Sequence, residues 1–131
     1  MDRMIFVNLP VTDVATARRF YTGLGFEVNE DFSDEQVACV VVSDAIVVML
    51  LEHARFADFI TTDIADTRAT TAQINALSAR SRAECDELVA TAVRLGGTAG
   101  PVVEDGPMYG TSFRDLDGHH WELIHMPVDA A

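Results

Sequence analysis

The chain repeats itself, and the repeat limits its possible folds more than any other feature. Shifted by 68 positions, Leu9 lands on Leu77, Asp13 on Ser81, Ala17 on Cys85, Phe20 on Leu88 and Tyr21 on Val89. Capping residues fall on capping residues and apolar residues on apolar ones. Two copies of one supersecondary unit are expected.

The first copy parses cleanly. "RMIFVNLPV" (residues 3–11) alternates and is rich in strand formers, so it reads as a strand. Thr12 or Asp13 then caps a helix. Val14, Ala17, Phe20, Tyr21 and Leu24 follow at helical spacing, and Gly23 and Gly25 stop it. "FEVNEDF" reads as a second strand. "QVACVVVS" and "AIVVMLLEH" read as a third and fourth, joined by a tight turn near Ser43 and Asp44. The second copy runs the same way. "AQINALSA" (72–79) is a strand, and Ser81 caps a helix with Glu84 three residues on, as in a capping box. Gly96 and Gly97 end that helix. "TAGPVVE" is a weak strand, and "YGTSFRD" and "HHWELIHM" form a hairpin around "DLDG".

With helix and loop differences absorbed, Met49 falls opposite Glu122. The prediction is an α+β fold with eight strands and two main helices. It consists of two tandem βαβββ modules in one domain, 1–131. Module one covers about 1–53 and module two about 72–126. The intervening "ARFADFITTDIADTRATT" (54–71) fits neither copy. Phe56, Phe59 and Ile60 have the spacing of one helical turn, and the stretch reads as a linker or as a flap over a site.

Composition narrows the function. With 49% hydrophobic residues and a mean hydropathy of +0.15, the chain can build a core and is not disordered. No apolar run reaches the length of a membrane span. The start, "MDRMIFVNLPV", lacks the basic segment, apolar core and cleavage site of a secretory signal, so a cytoplasmic protein is expected. A net charge of −12 repels phosphate backbones and anionic lipid, which argues against nucleic acid and membrane as partners. It would attract a cationic ligand, or serve only solubility. The acids cluster in "EVNEDFSDE", which reads as a solvated turn. Cys39 and Cys85 sit among apolar residues, and no Cys/His spacing suggests zinc or redox chemistry.

The stretch "RDLDGHHWELIHM" (114–126) holds three histidines and a glutamate. Residues two apart on a strand share a face. His120, Glu122 and Ile124 therefore point one way, and His119, Trp121, Leu123 and His125 the other. His53 has the parity of Met49, but four residues along a strand is roughly 13 Å, too far to join it.

The duplicated βαβββ unit, "LPVTDVATARRFYTGLGF" near the start and "FRDLDGHHWEL" near the end together resemble the vicinal oxygen chelate superfamily. That superfamily includes glyoxalase I, extradiol dioxygenases, and the fosfomycin and bleomycin resistance proteins. The resemblance covers nearly the whole chain, and "MYGTSFRDLDGHHWEL" looks most like the small bacterial glyoxalase-like proteins. It implies that the eight strands curl into a half-open, barrel-like cavity, and that the chain forms a homodimer. It also implies a divalent metal with one ligand on the first and one on the last strand of each module. Carried onto this sequence, those positions are Phe6 and Met49 in module one and Ile74 and Glu122 in module two.

One carboxylate thus stands with three apolar residues. Phenylalanine and isoleucine have no donor atom, and a thioether suits soft ions such as Cu(I). The expectation is a metal-free cavity for an unidentified small molecule, without a cofactor. Phe6, Met49 and Ile74 would form its apolar wall, and Asn8, Tyr109, His120 and Glu122 its polar points. The alternative is a lyase-like or dioxygenase-like enzyme with a displaced divalent ion on His120 and Glu122. In the metal-free case Glu122 is a candidate general base or ligand anchor. It is equally a candidate for a buried group that only holds the fold. Tyr109, in "PMYG", is expected in a loop at the cavity mouth before the seventh strand, or in the core.

Overall fold

Leu9 and Val11 are buried while Ile5 and Phe6 on the same strand are exposed, so the first strand enters the core only towards its C-terminal end. The structure is a computed structural model and describes residues 1–127. It divides into two units, Met1–Asp66 and a second that begins at Thr67. In the first, β1 (Ile5–Val11) pairs in parallel with β4 (Ile46–Glu52). β4 pairs antiparallel with β3 (Val37–Val41), and β3 with β2 (Glu27–Val28), in the order β1-β4-β3-β2.

Helix α1 (Val14–Gly23) covers one face of this sheet. It starts at Asp13, whose Oδ1 accepts the N–H groups of Ala15 and Thr16 at 3.0 and 3.4 Å. Glu52 Oε1 accepts the N–H of Val14 at 3.3 Å, a second carboxylate at the positive end of the helix. The chain leaves the helix through Gly25, whose φ of +105° favours a residue without a Cβ. The buried side of α1 (Val14, Ala17, Phe20, Tyr21) packs on β3 and β4, whose Val40, Val48 and Leu50 are fully buried.

Two expectations need correction here. The second strand shrinks to two residues because Asn29 Oδ1 accepts the Asp31 N–H at 3.1 Å and starts a 3-10 turn, Glu30–Phe32. His53 is not on a strand: β4 ends at Glu52 and His53 opens α2 (His53–Ala57), which includes Phe56 of the expected helical turn but leaves Phe59 and Ile60 to the turn after it.

The second unit repeats the plan. β5 (Ile74–Ser78) pairs in parallel with β9 (His120–His125), and β9 antiparallel with β8 (Met108–Arg114). Helix α3 (Arg82–Arg94) starts at Ser81, whose Oγ accepts the Glu84 N–H at 3.0 Å. Glu84 answers one residue early, accepting the Arg80 N–H at 3.1 Å. Gly96, at φ +103°, ends α3 as Gly25 ends α1.

The weak strand splits into β6 (Thr98–Ala99) and β7 (Val103–Asp105), both paired to β8. Pro101 has no N–H to give the ladder, and its carbonyl instead accepts the Ser112 hydroxyl at 3.0 Å. Nine strands and three α-helices therefore stand among the described residues where eight and two were expected. In the β8–β9 hairpin, Asp115 Oδ1 accepts the N–H groups of Asp117 and His119 at 3.0 and 2.8 Å. A Cβ on Gly118 (φ +89°) would lie 2.1 Å from the Thr67 carbonyl oxygen, so only glycine fits.

The fold is α+β with two open sheets. The register supports the repeat: Asn8 pairs with Met49 and Ala76 with Glu122, and Asn8 and Ala76 are 68 positions apart, which equates Met49 with Glu122. No helix among the described residues is long and apolar enough to cross a membrane.

Candidate ligand site

The face of the first sheet turned away from α1 carries a pocket built within the first unit alone. Register partners point to the same side of a sheet, so Asn8, Met49 and Cys39 share this face, as do Val37 and Leu51. Val37, Met49, Leu51 and Asn8 make the floor of a cavity of about 590 Å3. Phe56, Phe59 and Ile60, from α2 and the turn after it, line it from the connecting segment. Phe32, Asp34 and Arg55 complete the lining.

The polar groups are few. Asn8 Nδ2 donates to the Phe6 carbonyl at 3.1 Å, along its own strand. Asp34 Oδ1 accepts the Gln36 N–H at 2.8 Å. The Arg55 guanidinium pairs with Asp58 at 2.9 Å and lies 4.5 Å from the centre of the Phe59 ring. The Cys39 thiol is pushed up by burial, which keeps it protonated and unreactive at neutral pH.

Of the residues expected at a site, this unit brings Asn8 and Met49 together. Phe6 shares their face but is 55% exposed and is not among the residues lining the cavity. In the second unit, Ile74 pairs with His120, and Glu122 follows two residues along β9 on the same face, half-buried. Arg114 and Ser112 of β8 stand opposite His120 and Glu122. The parity expectation for β9 holds: Trp121 and Leu123 are buried on the other face, and His125 Nδ1 lies 3.1 Å from the Ala79 carbonyl oxygen.

Tyr109 departs from expectation. It lies inside β8, not before it, and pairs with His125 on the α3 side of the sheet. Its hydroxyl donates to Asp86 Oδ1 at 2.6 Å, a bond that raises the phenol above its ordinary range, and Arg82 lies over its ring. The sheet therefore separates Tyr109 from Glu122 and His120. A second depression, of about 480 Å3, lies on this unit between α3 and the β6–β8 edge, among Val89, Val93, Ala99 and Val102.

The donor set does not fit the divalent ion that the resemblance implies. Phe6, Met49 and Ile74 offer it nothing, and His120 and Glu122 supply two ligand types on one face where such ions need at least three. Among the described residues no group of three or more His, Cys, Asp or Glu side chains gathers.

Sequence reasoning missed Phe32, Asp34 and Arg55. The one available signal was an aromatic ring inside an acidic turn, where a merely solvated segment has no use for it.

Residues 3–43 match the family described as bleomycin resistance protein-like N-terminal. No curated protein matches the sequence. Solved structures do. A hypothetical protein of S. aureus, SA1046, is 25% identical with a TM-score of 0.81, over 95% of each chain. A glyoxalase-related enzyme from Fulvimarina pelagi is 20% identical with a TM-score of 0.81, over 98% of this chain and 91% of that one. A lactoylglutathione lyase from Agrobacterium tumefaciens is 17% identical with a TM-score of 0.70, over 95% of this chain and 94% of that one.

Proposed function

We propose that this chain belongs to the vicinal oxygen chelate superfamily and is a small-molecule-binding protein of the glyoxalase and bleomycin-resistance type. One observation carries the proposal: an apolar cavity of about 590 Å3 on an open sheet face, with a few convergent polar groups. Asn8 and Met49, two of the expected site residues, are part of it. Phe6 extends the same face, and Ile74, His120 and Glu122 offer a second open face on module two. There Glu122 anchors a polar group of the ligand or serves as a general base in a metal-free reaction. Tyr109 is left out of this reading because it faces α3.

The proposal includes a homodimer. Met4, Ile5 and Phe6 are 49%, 56% and 55% exposed at an edge strand, an apolar row of the kind that pairing or packing covers. Both cysteines are free thiols, which suits the reducing cytoplasm.

Binding is tested by thermal shift against a panel of cations, aldehydes and thiol adducts. A ligand present at about 100 times its Kd adds about 2.7 kcal/mol and raises the midpoint. The same protein, produced with added Ni, Zn, Mn and Fe, is expected to hold no stoichiometric ion. One tightly bound ion per chain, with turnover of the methylglyoxal–glutathione hemithioacetal that Glu122→Gln abolishes, would replace binding with lyase chemistry.

A further inference from the structure

We infer that the depression between α3 and the β6–β8 edge of the second unit is a binding site for an aromatic carboxylate. It lies on the helix side of that sheet. Every residue lining it belongs to the second unit, so the inference stands apart from the reading of the first unit's cavity.

The repeat shows what fills this place in the other copy. Between α1 and its sheet stand Phe20 and Tyr21, each 2% exposed, with ring centres 5.3 Å apart in an edge-to-face pair. The same positions on α3 are Leu88 and Val89, and both are only half-buried. Smaller side chains leave part of the space open. Val89 lines a depression of about 480 Å3, within the roughly 300–1,000 Å3 of small-molecule sites. Helix α3 also runs to 13 residues where α1 has 10, and the added residues are Ala92, Val93 and Arg94. Val93 and Arg94 line the depression, with Val102 from the sheet edge. Val93 and Val102 are 45% and 60% exposed, apolar surface that a ligand can cover. A ring is the group that this side of the sheet buries in one copy and lacks in the other.

Arg94 gives the site its charge. Arg80 and Arg82, at the other end of α3, are paired with Glu84 and Glu104. The Arg94 guanidinium donates to the Thr91 hydroxyl at 2.8 Å, and among the described residues no carboxylate pairs with it. Asp86 also lines the depression, but it accepts the Tyr109 hydroxyl and stands two turns away, roughly 12 Å along the helix. The net charge of −12 opposes any anion. Charges farther than about 8 Å are largely screened at physiological salt, so the adjacent guanidinium decides. A carboxylate on Arg94, with its ring against Val89, Val93 and Val102, uses both the charge and the open apolar wall.

Three probes with one ring system and different charge test this: 2-naphthoate (anion), 2-naphthalenemethanol (neutral) and 2-naphthalenemethylammonium (cation). Each is titrated into the isotope-labelled full chain at neutral pH and followed on the backbone amide resonances. Naphthoate is expected to shift the amides of 89–94 and 99–102 most. It should bind there at least about threefold tighter than the alcohol, with the cation weakest. Arg94→Gln should remove that preference and leave the affinity of the alcohol unchanged. Val89→Tyr restores the ring that the first copy carries at this position and should abolish binding of all three at these amides. Should Val89→Tyr fail to fold, Val93→Ala and Val102→Ala change exposed side chains and should still lower all three affinities. Equal binding of the three probes overturns the inference, as does a preference for naphthoate that survives Arg94→Gln. Shifts that gather on other residues also overturn it. If no probe binds, this site falls, and the reading of the first unit's cavity keeps its own test.

Discussion

Glu84 illustrates how one side chain can secure a helix start. Its carboxylate accepts the Arg80 backbone N–H at 3.1 Å and the Arg80 guanidinium at 3.0 and 2.8 Å, while its own N–H bonds to Ser81. The backbone bond first, and then the guanidinium, hold the Glu84 carboxyl below its ordinary value of 4.5. A depressed folded value means the unfolded chain binds the proton more readily. The contribution is thus fully present above about pH 4.5 and is lost as pH falls through the lower folded value. Urea unfolding of the wild type and Glu84→Gln should give a stability gap at neutral pH that closes in acid. A gap that does not change with pH would count against this role. The cap itself was readable in "SRAE", because capping is local chemistry. The shift of the carboxylate from Ser81 to Arg80 was not, since a choice between adjacent N–H groups depends on the local backbone path.

Strand β4 carries two functions on two faces. Leu50 is 0% exposed on the α1 side, and Met49 lies on the cavity side. Leu50→Ala is expected to cost about 2–5 kcal/mol, since the site under α1 cannot refill. Met49→Ala, on a face that opens into the cavity, should cost about 1 kcal/mol or less and change ligand affinity instead. Urea denaturation of the two variants checks the contrast, and equal losses would mean the cavity face is as tightly packed as the helix face. The alternation that separates these residues was visible in "AIVVMLLEH" only in part. Both faces of β4 are apolar, so period-two reading could not say which side a helix covers. The β9 strand was easier, because polar His120 and Glu122 alternate with Trp121 and Leu123. Tyr109 was misread for a related reason: Pro107 and Gly110 suggested a loop, but pairing of Met108 and Tyr109 with Asp105 and Glu104 extends β8 through them.

At the scale of the molecule, the exposed row Met4, Ile5 and Phe6 makes the oligomeric state a sharp test. Sedimentation should give twice the 14.3 kDa chain mass, and Phe6→Glu should shift it to monomer with the circular dichroism unchanged. A monomeric wild type would sink the dimer. Repeat, caps and parity were all legible in the chain, because each rests on interactions within a few residues or on a period that every strand or helix must obey. The equivalence of Met49 and Glu122 followed from the repeat, and the loss of the expected metal ligands followed from residue type alone. The cavity was not legible. Phe32 and Asp34 belong to one turn and Arg55, Phe56 and Phe59 to a segment some twenty residues later. They meet only because β3 and β4 pair with Val37 against Leu51, which brings the turn before β3 to the helix after β4. A pairing register is a long-range choice, and it decided where the aromatic rings stand.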